Sequence, residues 1–354
     1  MIDFSEFKNI TKEEWLEKVR ADLKGKALES LDFEVEDGLV LTPFFHREDR
    51  EKYPTEGLSN FREGGWQTGS IFITNTPKTT NLQLKEDLEG GVNAPLIVID
   101  NDFSTADIEL LYEGINPMWI SNYFDGQDSV VLQDFFEKWV AYLQTKDYDL
   151  SGVKGNLGLS PNVATAAKNK GFLEMDMPNF SLFRIREAEA SNYSSGLATL
   201  LKDANRLFDD LGAELAVRQI QFQMTVDKNY FASIAKLRAF HILWANLLQA
   251  YGLPSDLSPD ISVHFAPSTA SSDEYQNMIS AATLALSAVI GGAATLFIPP
   301  ASTPETPLTR RMARNVNHIL AMESYLDKIV DPAAGSYYIE SLTETFAKKA
   351  WTKL

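Results

Sequence analysis

The sequence contains no cysteine, only four histidines and a shortage of positive charge, and each lack removes a class of function. Without cysteine there are no disulfides, no thiolate metal ligands and no cysteine nucleophile, so a reducing compartment, the cytoplasm, is the expected location. Asp and Glu outnumber Lys and Arg by 49 to 32 over 354 residues, a formal charge of −17. That field repels nucleic acid and anionic lipid, and neither is expected as a partner. The histidines, His46, His241, His264 and His318, have no metal-ligand spacing, and no metal site is expected. Also missing are G-x-G-x-x-G after a strand, G-x-x-x-x-G-K-[ST], H-E-x-x-H and G-x-S-x-G. The start, MIDFSEFKNI, has no basic stretch leading into an apolar one, so no signal peptide is expected.

One uncharged run, Gln276 to Thr303, is long enough to test as a membrane span. Gly291-Gly292 and Pro299-Pro300 divide it, and Ser287 and Thr295 lie inside it. It reads as a buried helix followed by a buried strand. What is present is ordinary globular composition, 44% hydrophobic and 23% charged, with enough length for two domains or one large barrel.

The first 65 residues differ in texture from the rest. Thr11-Lys-Glu-Glu14 is a capping box opening a short helix to about Gly25, with Trp15, Val19 and Leu23 on one side. Ser30 to Gly65, including Leu39-Val-Leu41, reads as an extended arm. From residue 66 to 354 the pattern is regular. Strands are predicted at Ser70 to Thr74, Pro95 to Asp100, Pro117 to Tyr123, Val153 to Leu157, Phe180 to Arg184, Gln219 to Met224, Ile261 to Phe265 and Ala294 to Ile298. Helical segments lie between them, with N-caps at Ser104, Ser129 and Ser271, the last in a capping box with Glu274. Eight strand–helix units predict an α/β fold, a (β/α)8 TIM barrel with an N-terminal helix and arm; a doubly wound open sheet is the alternative.

If the fold is a barrel, chemistry belongs at the strand ends. That selects Asp100, Asn101 and Asp102, the cluster Arg184, Arg186 and Glu187, Asp227 and His264. Each has a bland reading as well: loop polarity, a helix cap, a wall residue, or a structural ion pair. His241, within the apolar stripe Tyr230, Ile234, Leu237, Trp244, Leu248 and Tyr251, reads as a buried core histidine. Phe183, Phe222 and Phe297 on strand positions favour a plugged lumen.

Several strings resemble the cobalamin-dependent acyl-CoA mutases, the methylmalonyl-CoA mutase family. The longest are Arg310-Arg-Met-Ala-Arg-Asn-Val-Asn, Glu323-Ser and Asp331-Pro-Ala-Ala-Gly-Ser-Tyr-Tyr-Ile-Glu340 with Leu342-Thr343. Others are Ile185-Arg-Glu-Ala188, Ile234-Ala-Lys-Leu-Arg-Ala239, Leu243-Trp-Ala245 and Gly291-Gly292. The likeness is tightest from about Ser181 onward and implies the same barrel.

Departures from the family pattern carry as much information. Where its catalytic chains have Tyr-His before Ile-Arg-Glu-Ala, this sequence has Phe183-Arg184; Ala294 and Phe297 stand for a Gln and a His, and Ile71 for a substrate-pressing Tyr. With Arg238, which matches a family arginine, these are the positions of a degenerate acyl-CoA pocket, with no catalytic residue expected. The Asp-x-His-x-x-Gly of the family's cobalamin domain is also missing. The resemblance therefore implies the non-catalytic small subunit, isomerisation of methylmalonyl-CoA and succinyl-CoA being done by a large subunit that holds adenosylcobalamin. Trp15, Phe44, Phe45 and Trp66 are the expected contacts of a heterodimer. The alternatives are an acyl-CoA mutase barrel using a separate cobalamin-binding protein, with Arg184 and Arg238 holding an anionic substrate, and an unrelated barrel enzyme using Glu187 or Asp227 as base.

Overall fold

Eight parallel strands, in the order β10-β3-β4-β5-β6-β7-β8-β9, close on themselves. In the chain they follow a two-stranded hairpin, β1 (Phe33–Glu36) and β2 (Leu39–Leu41). They run β3 (Gln67–Ile73), β4 (Ala94–Val98), β5 (Ser121–Asp125), β6 (Lys154–Leu159), β7 (Phe180–Arg186), β8 (Ile220–Val226), β9 (Ile261–Phe265) and β10 (Thr295–Phe297). The helices are α1 (Lys12–Asp22), α2 (Pro77–Glu89), α3 (Thr105–Leu111), α4 (Ser129–Thr145), α5 (Ala164–Asn169), α6 (Tyr193–Leu211), α7 (Ala213–Ala216), α8 (Tyr230–Ala250), α9 (Glu274–Ile290), α10 (Pro307–His318) and α11 (Tyr337–Trp351). This computed structural model describes residues 10–49, 61, 64–73, 76–188 and 192–354. Thr74, the acidic start before Ile10 and parts of the arm lie outside the described residues.

The closed barrel replaces the open-sheet alternative, and all eight predicted strands are present. The third is displaced: Pro117–Trp119 is a turn of 3-10 helix capped by Asn116, and the strand begins at Ser121. Proline has no amide to give a ladder, which moves the strand downstream and brings Asp125 onto it. Two caps also shift. Asp128, not Ser129, accepts the Val130 amide at 2.7 Å, and Asp273, not Ser271, caps α9 through the Tyr275 amide at 2.9 Å. A carboxylate there also meets the positive end of the helix dipole. The uncharged run is α9, a Gly-Gly turn and β10, and no helix among the described residues is long and apolar enough to cross a membrane.

The main core lies between the barrel wall and the helices. Trp139 packs against Phe124, Phe136 and Phe180, while Phe222 packs against Phe240 and Trp244. Phe222 thus faces the helices and does not fill the lumen. His241 is buried beside the Phe61 ring, 4.8 Å away, as a core histidine.

Two ionic joints tie the last helices to the wall. Asp87, wholly buried on α2, takes Arg310 at 2.6 Å, Arg314, and the Ser70 hydroxyl at 2.8 Å. Arg238 on α8, also wholly buried, pairs with Asp331 and with Glu340 at 2.8 Å. The strings that carry the family resemblance are therefore joinery. Arg238 sits on the helix layer, outside the barrel, which corrects its assignment to an acyl-CoA pocket: its two counter-ions lie on the closing segment and on α11.

The arm packs on its own chain. Trp15 meets Phe44 edge-on at 4.4 Å, Phe45 meets Tyr338 at 5.6 Å, and the Trp66 indole donates to Asn317 at 2.8 Å. The four aromatics expected at a partner interface thus make contacts within this chain, and Trp15 stays 37% exposed. Glu36 fixes the hairpin, accepting from the Ser194 amide (3.0 Å) and hydroxyl (2.8 Å) and from Lys349 (2.9 Å). Burial alone would raise its carboxyl, but the Ser194 and Lys349 hydrogen bonds prevail and hold it below its ordinary value. A depressed carboxyl gives stability that is fully present above the unfolded pKa and lost as pH falls through the folded one. Glu36→Gln is accordingly expected to flatten the acid limb of the stability–pH profile below about pH 4 to 5, measured by thermal unfolding. An unchanged profile would show that this anchor does not hold the hairpin.

Candidate functional site at the barrel mouth

Alternation along a strand decides which residues enter the lumen. On β3 these are Gln67, Gly69, Ile71 and Ile73, beside Ala94 and Leu96 of β4 and Thr295 and Phe297 of β10; Ala94, Leu96, Phe297 and Tyr123 form a cluster separate from the main core. The lower layer is polar and closed upon itself. The Tyr123 hydroxyl reaches Gln67 at 3.0 Å and Thr295 at 3.2 Å, and Gln67 donates to Ser121 at 2.7 Å. Burial pushes the Tyr123 phenol well above its ordinary range, with Asp260 adding to the effect.

Above this layer one ring fills the channel. Phe297 lies edge-on to Tyr123 at 5.9 Å and is stacked by His264 at 4.7 Å. Its space is left by Gly69, where an added Cβ would stand 2.4 Å from the ring. Of the three phenylalanines expected to plug the lumen, Phe297 alone does so. Phe183 is buried in the main core, on the opposite face of β7 from Arg184.

At the strand ends Arg184 and Arg186 converge on one carboxylate. Arg184 donates to Gln221 at 2.9 Å and to Asp125 at 3.3 Å; Arg186 donates to Asp125 at 2.5 Å and to the Gly158 carbonyl at 3.1 Å. Gly158, at φ +76°, allows this approach: a Cβ there would meet the Phe124 carbonyl at 2.4 Å and the Arg184 guanidinium at 3.3 Å. Burial lowers Arg184 to about 10 despite the opposing pull of Asp125, and burial followed by the two guanidiniums lowers His264 to about 3. His264 is thus a neutral wall residue at physiological pH, with one ring N–H and no imidazolium proton.

Glu187, grouped with the arginines by sequence, turns the other way. Both its oxygens take Lys236, at 2.8 and 2.9 Å, and one also accepts the Thr225 amide at 2.8 Å. A cavity of about 400 Å³ lies beside that pair, lined also by Tyr193 and Asp227. Asp227 is held by the Tyr193 hydroxyl at 2.9 Å and the Asn229 amide at 2.8 Å, so neither candidate base is free. Asp100, Asn101 and Asp102 are exposed loop residues.

Among the positions expected to form a degenerate pocket, the fold brings Ile71, Arg184 and Phe297 to the lumen. It places Phe183, Ala294 and Arg238 elsewhere; Ala294 precedes β10 and alternates outward from the lumen-facing Thr295. Sequence reasoning missed Asp125, Gln67 and Lys236. Asp125 was recoverable, because Tyr123 and Asp125 are two apart and share a face once the strand is placed correctly.

A family model described as Methylmalonyl-CoA mutase matches residues 184–354, the stretch that contains Arg238, Arg310 and Arg314. Over that span the chain is similar to the methylmalonyl-CoA mutase family. Its likeness to mutase small subunits reaches further. The Methylmalonyl-CoA mutase small subunits of Porphyromonas gingivalis and Streptomyces virginiae are each 26% identical across 98% of this chain. The Methylmalonyl-CoA mutase of Rhizobium meliloti is 29% identical across 75% of this chain and 41% of its own length. The chain spans 63% of the length of those two small subunits.

Proposed function

We propose that this chain is the non-catalytic small subunit of an adenosylcobalamin-dependent methylmalonyl-CoA mutase, acting in the cytoplasm by stabilising the catalytic large subunit as a heterodimer. The carrying observation is the Phe297 ring seated against Gly69, with Tyr123 and His264 on its faces and edge. A thioester arm threading this barrel would need that space. Polarising a carbonyl takes a donor aimed where charge develops. Here the histidine position of the family is Arg184, whose Nε and Nη1 are taken by Gln221 and Asp125.

The settings of the four histidines support placing the cofactor on the other chain. His264 and His241 are packed against aromatic rings, His318 bonds the Gly90 carbonyl at 2.8 Å, and His46 lies on the arm within 3.7 Å of Glu48. None of the four stands open at the barrel mouth to ligate cobalt. On this reading adenosylcobalamin and the isomerisation of methylmalonyl-CoA and succinyl-CoA belong to the large subunit.

The test is co-expression with the mutase large subunit from the same genome, followed by size-exclusion chromatography and mutase assay. A one-to-one complex is expected, with activity that the large subunit loses when purified alone. Tight acyl-CoA binding by this chain without any complex would overturn the proposal and favour a barrel that works with a separate cobalamin-binding protein.

A further inference from the structure

The polar mouth of the barrel, beyond the Phe297 ring, leaves hydrogen bonds unmade. Strand alternation puts Arg184 and Arg186 of β7 on the lumen side, in register with Gln221 and Gln223 of β8. Arg184 is 2% exposed; its Nε donates to Gln221 and its Nη1 to Asp125. Its Nη2 is buried and has no partner among the described residues. Gln223 Oε1 is in the same condition, and an amide can turn either its oxygen or its NH2 to a ligand. Arg186 is 35% exposed at the strand end and makes its bonds to Asp125 and to the Gly158 carbonyl through Nη2, which leaves the other edge of its fork open.

Negative charge is short at the same place. Asp125 is the carboxylate that both guanidiniums touch. Glu187 is taken by Lys236 and Asp227 by Tyr193. Asp260 lies on the far side of Gln221, accepting from its amide at 3.0 Å, and burial raises its carboxyl. Asp100 and Asp102 are exposed on the loop after β4. Burial outweighs the pull of Asp125 on Arg184, so this cation is under-compensated where it stands. A buried donor left unmade costs about 1–3 kcal/mol, and more on a charged group. Water can accept the hydrogen bond without adding charge. A carboxylate supplies both, in the geometry that a planar guanidinium fork matches.

From this arrangement we infer that the barrel mouth is a binding site for the carboxylate of a small organic acid, held by Arg184 Nη2 and the open edge of Arg186. The site goes beyond the small-subunit reading and does not rest on it. Two guanidiniums less the one carboxylate of Asp125 leave a single positive charge, which one carboxylate balances and a phosphate dianion exceeds. Phe297 limits the depth of the site, so the ligand is short. The net charge of −17 opposes an approaching anion, and the affinity therefore depends on the two arginines, at distances where salt screens little.

Titration calorimetry of the full-length chain with sodium acetate, ionic strength being held constant with sodium chloride, tests the site. Saturable binding is expected. It should weaken at least 10-fold in Arg186→Gln, where thermal unfolding checks that the chain stays folded, and in Arg184→Lys, which keeps the buried charge and loses Nη2. His264 gives a second readout, because both guanidiniums act on its ring. Its imidazole NMR signals should move on acetate addition in wild type and stay in place in Arg186→Gln. Binding of acetate no stronger than that of chloride, or equal binding by wild type and both variants, would overturn the proposal. Saturation by inorganic phosphate with none by acetate would overturn the assignment to a carboxylate.

Discussion

Asp87→Asn is expected to lower unfolding stability by about 3–5 kcal/mol, because it leaves the buried Arg314 without its counter-charge and Arg310 with only the longer contact to exposed Glu305. Arg310 and Arg314 are each no more than 8% exposed; Arg314 pairs with Asp87, and Arg310 pairs with Asp87 and, at 3.6 Å, with the exposed Glu305. The Ser70 hydroxyl can satisfy a lone pair but cannot neutralise a cation. Urea unfolding measures the effect. The control is Asp134→Asn, whose partner Lys138 lies on the surface one turn away, where the loss should stay below about 1 kcal/mol. Loss of a few kcal/mol is a large part of the about 5–15 kcal/mol that holds a domain folded. Replacing Asp87, Arg310 and Arg314 together with leucine should restore much of the loss, since the desolvation penalty disappears with the charges. Equal stability of Asp87→Asn and wild type would show that α10 is held by other contacts.

The second large effect is expected at the plug. Phe297→Ala removes a ring that is 2% exposed and leaves a cavity walled by Leu96, Tyr123 and His264, at a cost of about 3–5 kcal/mol. Gly69→Val alone is expected to cost about 1–3 kcal/mol by overpacking, because its new side chain enters the space of the ring. In the double variant the valine occupies part of the cavity, and the losses should fail to add by about 1 kcal/mol or more in a double-mutant cycle. His264 provides a second readout. Burial is the main cause of its depression to about 3, so hydration through the cavity should raise its pKa toward the ordinary value, with the two arginines still holding it below. Side-chain NMR titration follows this directly. Strictly additive losses and an unmoved His264 would mean that Phe297 and Gly69 do not share one space.

The acid-limb effect expected for Glu36 is smaller and local. It concerns the seating of the hairpin on α6 and α11, whereas Asp87 and Phe297 hold the barrel layers themselves.

Much of the architecture was legible before any coordinates. Alternating apolar runs and helical stretches repeat eight times, and Thr11 and Ser104 cap their helices through the expected boxes. These are local properties, written within a dozen residues by side-chain period and backbone hydrogen-bonding need. The Gly-Gly break in the uncharged run was equally local and separated α9 from β10. The long strings from Arg310 and Asp331 pointed to the family because they are contiguous, although nothing in them named Asp87 or Arg238 as the reason for their charges.

Pairing was decided by the tertiary structure. Asp87 and Arg310 are 223 residues apart, and Arg238 and Asp331 are 93 apart. No period links such positions. Arg184, Arg186 and Glu187 are consecutive or nearly so, yet two turn to Asp125 and the third to Lys236, because strand alternation and neighbouring strands set each side chain's direction. Which of Phe183, Phe222 and Phe297 enters the lumen followed the same rule. The sequence by itself determined the barrel, its order and its kinship, because those follow from local pattern. Closure of the barrel determined which groups became neighbours, and with that whether the site was open, charged or filled.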